Sequence, residues 1–371
     1  MMLHSKTTYI ASALLLLLMV LTTCDSSTSP EDQVNFDRSE MLANYANNII
    51  LPSYEDLQTK VKDLQTAAQN FDTDKTLDNL QTLQAALKDA RLAWQDVSPF
   101  QFGPSESVLL RSSLNTYPVD TDQVNEFITS GSYTFGTINS RDAAGLPALG
   151  YLLHGVGDTN EDILAMYSSD TEAEKRMTFL LDNISFIKDL VDTVTNEWQS
   201  SGGDHIGTFL SEDNAGTDVG SSLGMLINSY VLHYERFLRD GKIGIPAGVR
   251  SASIPRPAVT EAYFAGYSLE LAIANLTQIE QVFTGGNGVG LDDNLEALGA
   301  GDLSDEIQTQ IDEAQDSLGQ LSDPLSQEIE DGNNDPVLTS FQELQDVVVL
   351  LKADMTSILG ITITFQDNDG D

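Results

Sequence analysis

Apolar residues recur along most of this chain at intervals of three and four, the spacing that lines one face of an α-helix. Leu77, Leu80, Leu83, Leu87 and Trp94 form one such stripe, and Met177, Leu180, Ile184, Ile187, Val191, Val194 and Trp198 form another. Further stripes run through Leu223, Leu226, Tyr230, Tyr234 and Phe237; Leu269, Ile273, Leu276, Ile279 and Phe283; Ile307, Ile311, Ala314, Leu318 and Leu321; and Leu344, Val347, Leu351, Met355 and Ile358. The period-two alternation of half-buried strands is scarce. The expected fold class is all-α.

A chain of 371 residues is longer than one compact core usually serves. The glycine-containing break at Ser200 to Asp204, S-S-G-G-D, divides the helical stripes near their middle. It predicts an N-terminal helical domain over 41–200 and a C-terminal one over 205–371, two bundles packed against each other. Residues 99–160 stand apart, being rich in Pro, Gly, Ser, Thr and Asp. They read as a long irregular, loop-rich insert, and such stretches more often carry function or an interface than nothing.

The N-terminus reads as an export signal. Lys6 precedes the apolar run Ala11 to Leu21, which is too short to span a bilayer, and Leu21-Thr22-Thr23-Cys24 resembles a lipoprotein cleavage site. Residues 1–23 are therefore the expected signal peptide, and Cys24, the only cysteine, the expected acylated first residue. Residues 24–40 include D-S-S-T-S-P-E-D-Q, the composition of a flexible acidic tether. The expected location is a bacterial cell envelope, periplasmic or at the cell surface, with the membrane reached through the lipid.

Charge narrows the partners. With 57 Asp and Glu against 18 Lys and Arg, the formal net charge is −39, which repels phosphate backbones and makes nucleic acid an unsuitable partner. The acids are spread through every segment, as on a solvated surface. Excess charge alone is not a metal site, because coordination needs ligands that converge within about 2.0–2.6 Å.

The search for catalytic patterns finds neither His-Glu-x-x-His nor Gly-x-Ser-x-Gly. Of the four histidines, His4 lies in the signal and His205 in a loop after Gly202-Gly203-Asp204. His154 follows Leu152-Leu153, and His233 falls on an apolar helix face, with Glu235 two residues on and pointing elsewhere. The sequons at Asn183 and Asn275 lie within helical stripes, and Asp367-Asn-Asp369-Gly-Asp371 is only the first half of a calcium loop.

Residues Gly145 to Leu153, G-L-P-A-L-G-Y-L-L, resemble the Gly-x-His-x-x-Glu segment of the imelysin-like proteins, the M75 peptidase family. Trp94 to Pro104, Tyr117-Pro118-Val119-Asp120, Ile243 to Gly248, Gly288 to Asp293 and the Phe365 to Asp371 ending resemble further family segments in order. The resemblance implies two helical bundles with a pocket between them, iron-responsive uptake and, from the family name, metallopeptidase activity. Iron or another divalent cation is the metal it implies. In this chain the motif's His position holds Pro147 and its Glu position holds Gly150, so its two expected ligands are absent. Gly145, Pro147, Gly150, His154, His233 and Glu261 are the candidate pocket, with Glu106 and Glu235 as further carboxylates that could converge near Gly150. No residue is assigned a catalytic or metal-ligating role. The expected function is binding of a small ligand or an envelope transport partner, ahead of peptidase activity or a purely structural role.

Overall fold

The computed structural model describes residues 36–330 and 334–366, and Phe36 onward forms one compact unit. The expected signal 1–23, Cys24, the tether up to residue 35 and the acidic ending Asp367 to Asp371 lie outside the described residues.

The regular structure of the described chain is helical, with no β-strand among the described residues. Its N-terminal part runs through α1 (Arg38–Asn44), a π-helix (Tyr45–Ile50), α2 (Leu51–Thr73) and α3 (Leu77–Val97). Residues 38–40, expected within the tether, belong to α1, which Asp37 caps, its carboxylate accepting from Ser39 N at 2.9 Å. Short helices follow: α4 (Pro104–Ser107), α5 (Leu110–Leu114), α6 (Thr121–Ser130), α7 (Gly145–His154) and α8 (Asn160–Ser168). They lead into α9 (Ala173–Trp198) and α10 (His205–Phe209). Much of the stretch expected to be irregular is therefore helical, in pieces that its prolines and glycines keep to ten residues or fewer.

Beyond the glycine-containing turn come α11 (Ser222–Leu232), a twelve-residue π-helix (His233–Gly244), α12 (Ser268–Thr284), α13 (Leu291–Ala297), α14 (Gly301–Leu318) and α15 (Leu325–Glu330). The described chain closes with α16 (Asp335–Val349), a π-helix (Leu350–Met355) and α17 (Thr356–Leu359).

The apolar stripes form the core. Leu80, Leu83, Leu87 and Trp94 of α3 are buried, as is every named member of the α9 stripe. α2 packs on α3 and α9, while α16 packs on α14 and on the π-helix after α11. The two groups meet where α3 lies against α12.

Two stripe residues depart from the pattern, and both departures have one cause. Phe237 is 36% exposed and Ile358 45% exposed, and each lies within or just beyond a π-helical turn. There hydrogen bonds run i→i+5, so the register slips relative to a 3.6-residue period. Among the described residues no helix is long and apolar enough to cross a membrane.

Candidate functional site

The contact between α3 and α12 is polar at its centre. α3 presents Arg91 and Gln95, and its C-cap Ser98, at successive turns of its core face, where its stripe would otherwise place apolar side chains, and all three are buried. From α12, buried Asn275 donates through Nδ2 to Gln95 O at 3.0 Å and to Ser98 Oγ at 2.9 Å. Ser98 Oγ in turn donates to Gln95 O.

His233, the first residue of the long π-helix, completes this network. Its Nε2 lies 2.8 Å from Asn275 Oδ1, and the Arg111 guanidinium Nη2 lies 3.3 Å from its Nδ1. A guanidinium can only donate, so Nδ1 carries the lone pair and Nε2 the proton. Burial, followed by the Arg111 charge, pushes the His233 imidazolium well below its ordinary range. The ring is neutral with both nitrogens engaged, which leaves neither free to ligate an ion. Glu235, two residues on, turns to Lys352 at 2.7 Å, so the helix separates the pair as its period requires.

Glu261 is also buried here, in the irregular segment between the π-helix and α12. Its Oε2 pairs with buried Lys242, and its Oε1 accepts from Asn115 Nδ2 at 2.8 Å and Gln95 Nε2 at 3.3 Å. Burial alone would raise its carboxyl, but Lys242 and Asn115 hold it below the ordinary carboxylate range. A buried carboxylate with these three donors is a structural ion pair with little capacity left for a metal.

The glycine motif meets the same face of α3 through Arg91. Gly145 opens α7 at φ +75°, where a Cβ would strike Leu114 O, and the Asn183 amide clamps its N–H and C=O at 2.9 and 3.0 Å. Pro147 occupies the first turn of α7, where its missing N–H is not needed. Gly150 faces Arg91: a Cβ there would collide with Nη2 and lie 3.3 Å from Cζ. Arg91 Nη2 donates to Leu146 O at 2.7 Å, while its Nε and Nη1 are buried without a hydrogen-bond partner. His154 closes α7 with its ring edge-on to Tyr267, and burial together with the Arg91 charge lowers it to about 4.

These positions do not fit a divalent cation. A guanidinium with two unsatisfied N–H groups needs an acceptor and repels a metal ion, and the gap beside Pro147 and Gly150 is only about 20 Å³. Among the described residues no three His, Cys, Asp or Glu side chains are grouped to hold a metal. The structure thus brings Gly145, Pro147 and Gly150 together on α7, with His154 at its end. Glu261 lies close by, its neighbours Thr260 and Ala262 lining the gap beside Gly150 and its charge interacting with Arg91, while His233 joins the adjoining Asn275 network. Glu235 faces Lys352, and exposed Glu106 lines a different cavity, so neither is placed with Gly150. His205 packs its ring edge-on against Trp198, 4.6 Å between centroids. The sequon residues Asn183 and Asn275 are buried, each engaged as described.

A ligand-sized space lies beyond Tyr117 and Pro118, which line both openings. It is a cavity of about 540 Å³ between the 101–118 stretch, the long π-helix and the segment after it. Arg111, Arg236 and Arg256 line it together with Glu106 and apolar side chains including Leu109 and Phe237. The Arg111 guanidinium stacks on the Phe237 ring at 3.8 Å. Burial lowers Arg111 to about 9, so it keeps its charge at neutral pH.

Sequence reasoning located the motif but missed Arg91, Arg111, Lys242 and this cavity. The available signal was polar residues in apolar register: Arg91 and Gln95 follow Leu87 at steps of four on the buried face of α3.

Comparison with known proteins agrees with this architecture. The model of the Imelysin family, Peptidase M75, matches residues 50–351. The iron-regulated protein A of Synechococcus elongatus is 26% identical over 82 residues, a match covering 22% of this chain and 23% of that protein. A crystal structure of a protein described as an iron-regulated protein A precursor, from Parabacteroides distasonis, superposes with a TM-score of 0.73 at 17% identity. That match covers 90% of this chain and 97% of the other. An imelysin-like protein from Psychrobacter arcticum gives 0.68 at 19% identity, over 89% and 99%.

Proposed function

Because the chain belongs to the imelysin family, we propose that it is a binding protein of an iron-responsive envelope system that has exchanged the family's metal-ligating motif for a guanidinium. The observation that carries this reading is Arg91 against the bare Gly150 backbone. Metal-assisted hydrolysis needs a held ion and a base beside its water, and the α7 site supplies a fixed positive charge instead. The names of the relatives support the iron-responsive part of the reading, and the cavity beyond Tyr117 is of a size that small ligands occupy.

In this reading Cys24 carries the acyl anchor, residues 25–35 space the body from the membrane, and the cavity presents its ligand to an envelope transport partner. Metabolic labelling with a palmitate analogue, lost in Cys24→Ala, is the expected sign of the anchor. Digestion of insulin and casein tests the rest: neither should be cleaved, with or without added zinc or iron. Cleavage abolished by a chelator would establish the peptidase reading in its place.

A further inference from the structure

About half of the described basic side chains are ion-paired. Lys75, Lys88, Lys175, Arg176, Lys188 and Lys242, among others, each sit within ion-pair distance of a carboxylate. That is the expected condition in a chain whose acids outnumber its bases about threefold. Among the described residues the three arginines of the large cavity make no ion pair, as is also true of Arg38, Lys60, Lys62, Arg91 and Arg141; what sets the three apart is that they line one cavity. Arg111 bonds to Ser98 O and His233 and stacks on Phe237; Arg236 donates to Gln366 O and sits 5.6 Å from the Phe365 ring; Arg256 makes no side-chain contact of this kind. Nε of both Arg111 and Arg236 is buried without a hydrogen-bond partner. One exposed carboxylate, Glu106, shares the cavity with them.

Three guanidiniums without a carboxylate partner among the described residues line one cavity with apolar side chains, Arg111 fixed on Phe237, Arg236 half-buried and Arg256 exposed, an arrangement suited to negative charge on an apolar body. Guanidiniums present paired donors that match the oxygens of a carboxylate or phosphate, and stacking on Phe237 fixes the plane of Arg111. Leu109, Phe237 and Val259 would cover the apolar remainder. We propose that this cavity binds small amphiphilic anions, an oxyanion head carried on an apolar chain or ring, with Arg111, Arg236 and Arg256 as the head-group contacts. This rests on the binding-protein reading and names the class of ligand.

The test is calorimetric titration of the purified protein with octanoate, octyl phosphate, octanol and inorganic phosphate. At least one of the two amphiphilic anions should bind, at least about tenfold more tightly than octanol or inorganic phosphate, and its affinity should fall as salt rises. Which of the two binds better identifies the head group. Arg256→Gln and Arg236→Gln should each weaken that binding about five- to tenfold. Because the exposed Arg256 side chain makes no hydrogen bond or ion pair among the described residues, its variant tests the site even if Arg236→Gln is destabilised. The proposal is overturned if neither anion binds, if octanol binds as tightly as both, or if Arg256→Gln leaves affinity unchanged in the folded protein. Any of these results with insulin and casein still intact would remove the anion site and leave the binding-protein reading standing. Chelator-sensitive cleavage would remove that reading first.

Discussion

Arg91 lies directly against Gly150: its guanidinium fills the space a Gly150 side chain would take and donates to Leu146 O at 2.7 Å, one turn earlier on the same helix. A glycine inside a helix costs about 1 kcal/mol relative to alanine, and here that cost makes room for a buried cation. Gly150→Ala should therefore destabilise the protein by about 1 kcal/mol, overpacking against Arg91 outweighing the gain in helix propensity. In an Arg91→Ala background the same substitution should become stabilising. Urea unfolding of the four proteins in the cycle measures the change of sign. No coupling between the two positions would mean that Arg91 does not occupy the space.

Glu261→Gln should cost about 3–5 kcal/mol, because it leaves the Lys242 ammonium buried beside a neutral amide. Changing both partners, Lys242→Met with Glu261→Gln, should recover a large part of the loss. Chemical denaturation reads both outcomes, and a single variant as stable as the parent protein would contradict the burial of the pair.

His233 should stay neutral across the physiological range. Its folded-state value is pushed well below 6.5 and that of His154 to about 4, so below about pH 6.5 the unfolded chain binds protons that the folded chain does not. Stability from these rings is present above that pH and is lost as pH falls toward the folded values. In an NMR titration the His154 ring proton should move with a midpoint near 4, and that of His233 should not move between pH 5.5 and 8. A His233 midpoint near 6.5 would show that the ring is not held by Arg111 and Asn275 as described.

Asp96, half-buried and near Asp56, has the opposite sign. Burial first, and then the Asp56 charge, raises its carboxyl to about 6. The folded state therefore binds the proton more tightly, and stability declines as pH rises from about 4 to 6. Asp96→Asn should stabilise the protein at pH 7 by about 1 kcal/mol and make little difference at pH 4, a contrast that thermal melts at the two pH values would show.

The helical class was legible because the stripes of α3, α9 and α14 follow a 3.6-residue period that packing then uses directly. Phe237 and Ile358 were misplaced because a π-helical turn changes the register without changing the hydrophobic pattern that precedes it. Gly145, Pro147 and Gly150 could be read as a motif, but the replacement for the missing side chains came from Arg91, more than fifty residues upstream, and only tertiary packing brings the two together. The large cavity was hidden for the same reason. Arg111, Arg236 and Arg256 are far apart in the chain, and nothing in their local sequence separates a cavity arginine from a surface one.

The most direct test of the central claim, that a guanidinium has replaced the metal site, is metal stoichiometry by mass spectrometry. The purified protein would be incubated with ferrous iron or zinc and then desalted. With Arg91 beside Gly150, both ring nitrogens of His233 engaged and Glu261 paired with Lys242, retained metal should fall far below one ion per chain. One tightly held ion per chain, surviving desalting and unaffected by loss of the acidic ending after Gln366, would contradict it.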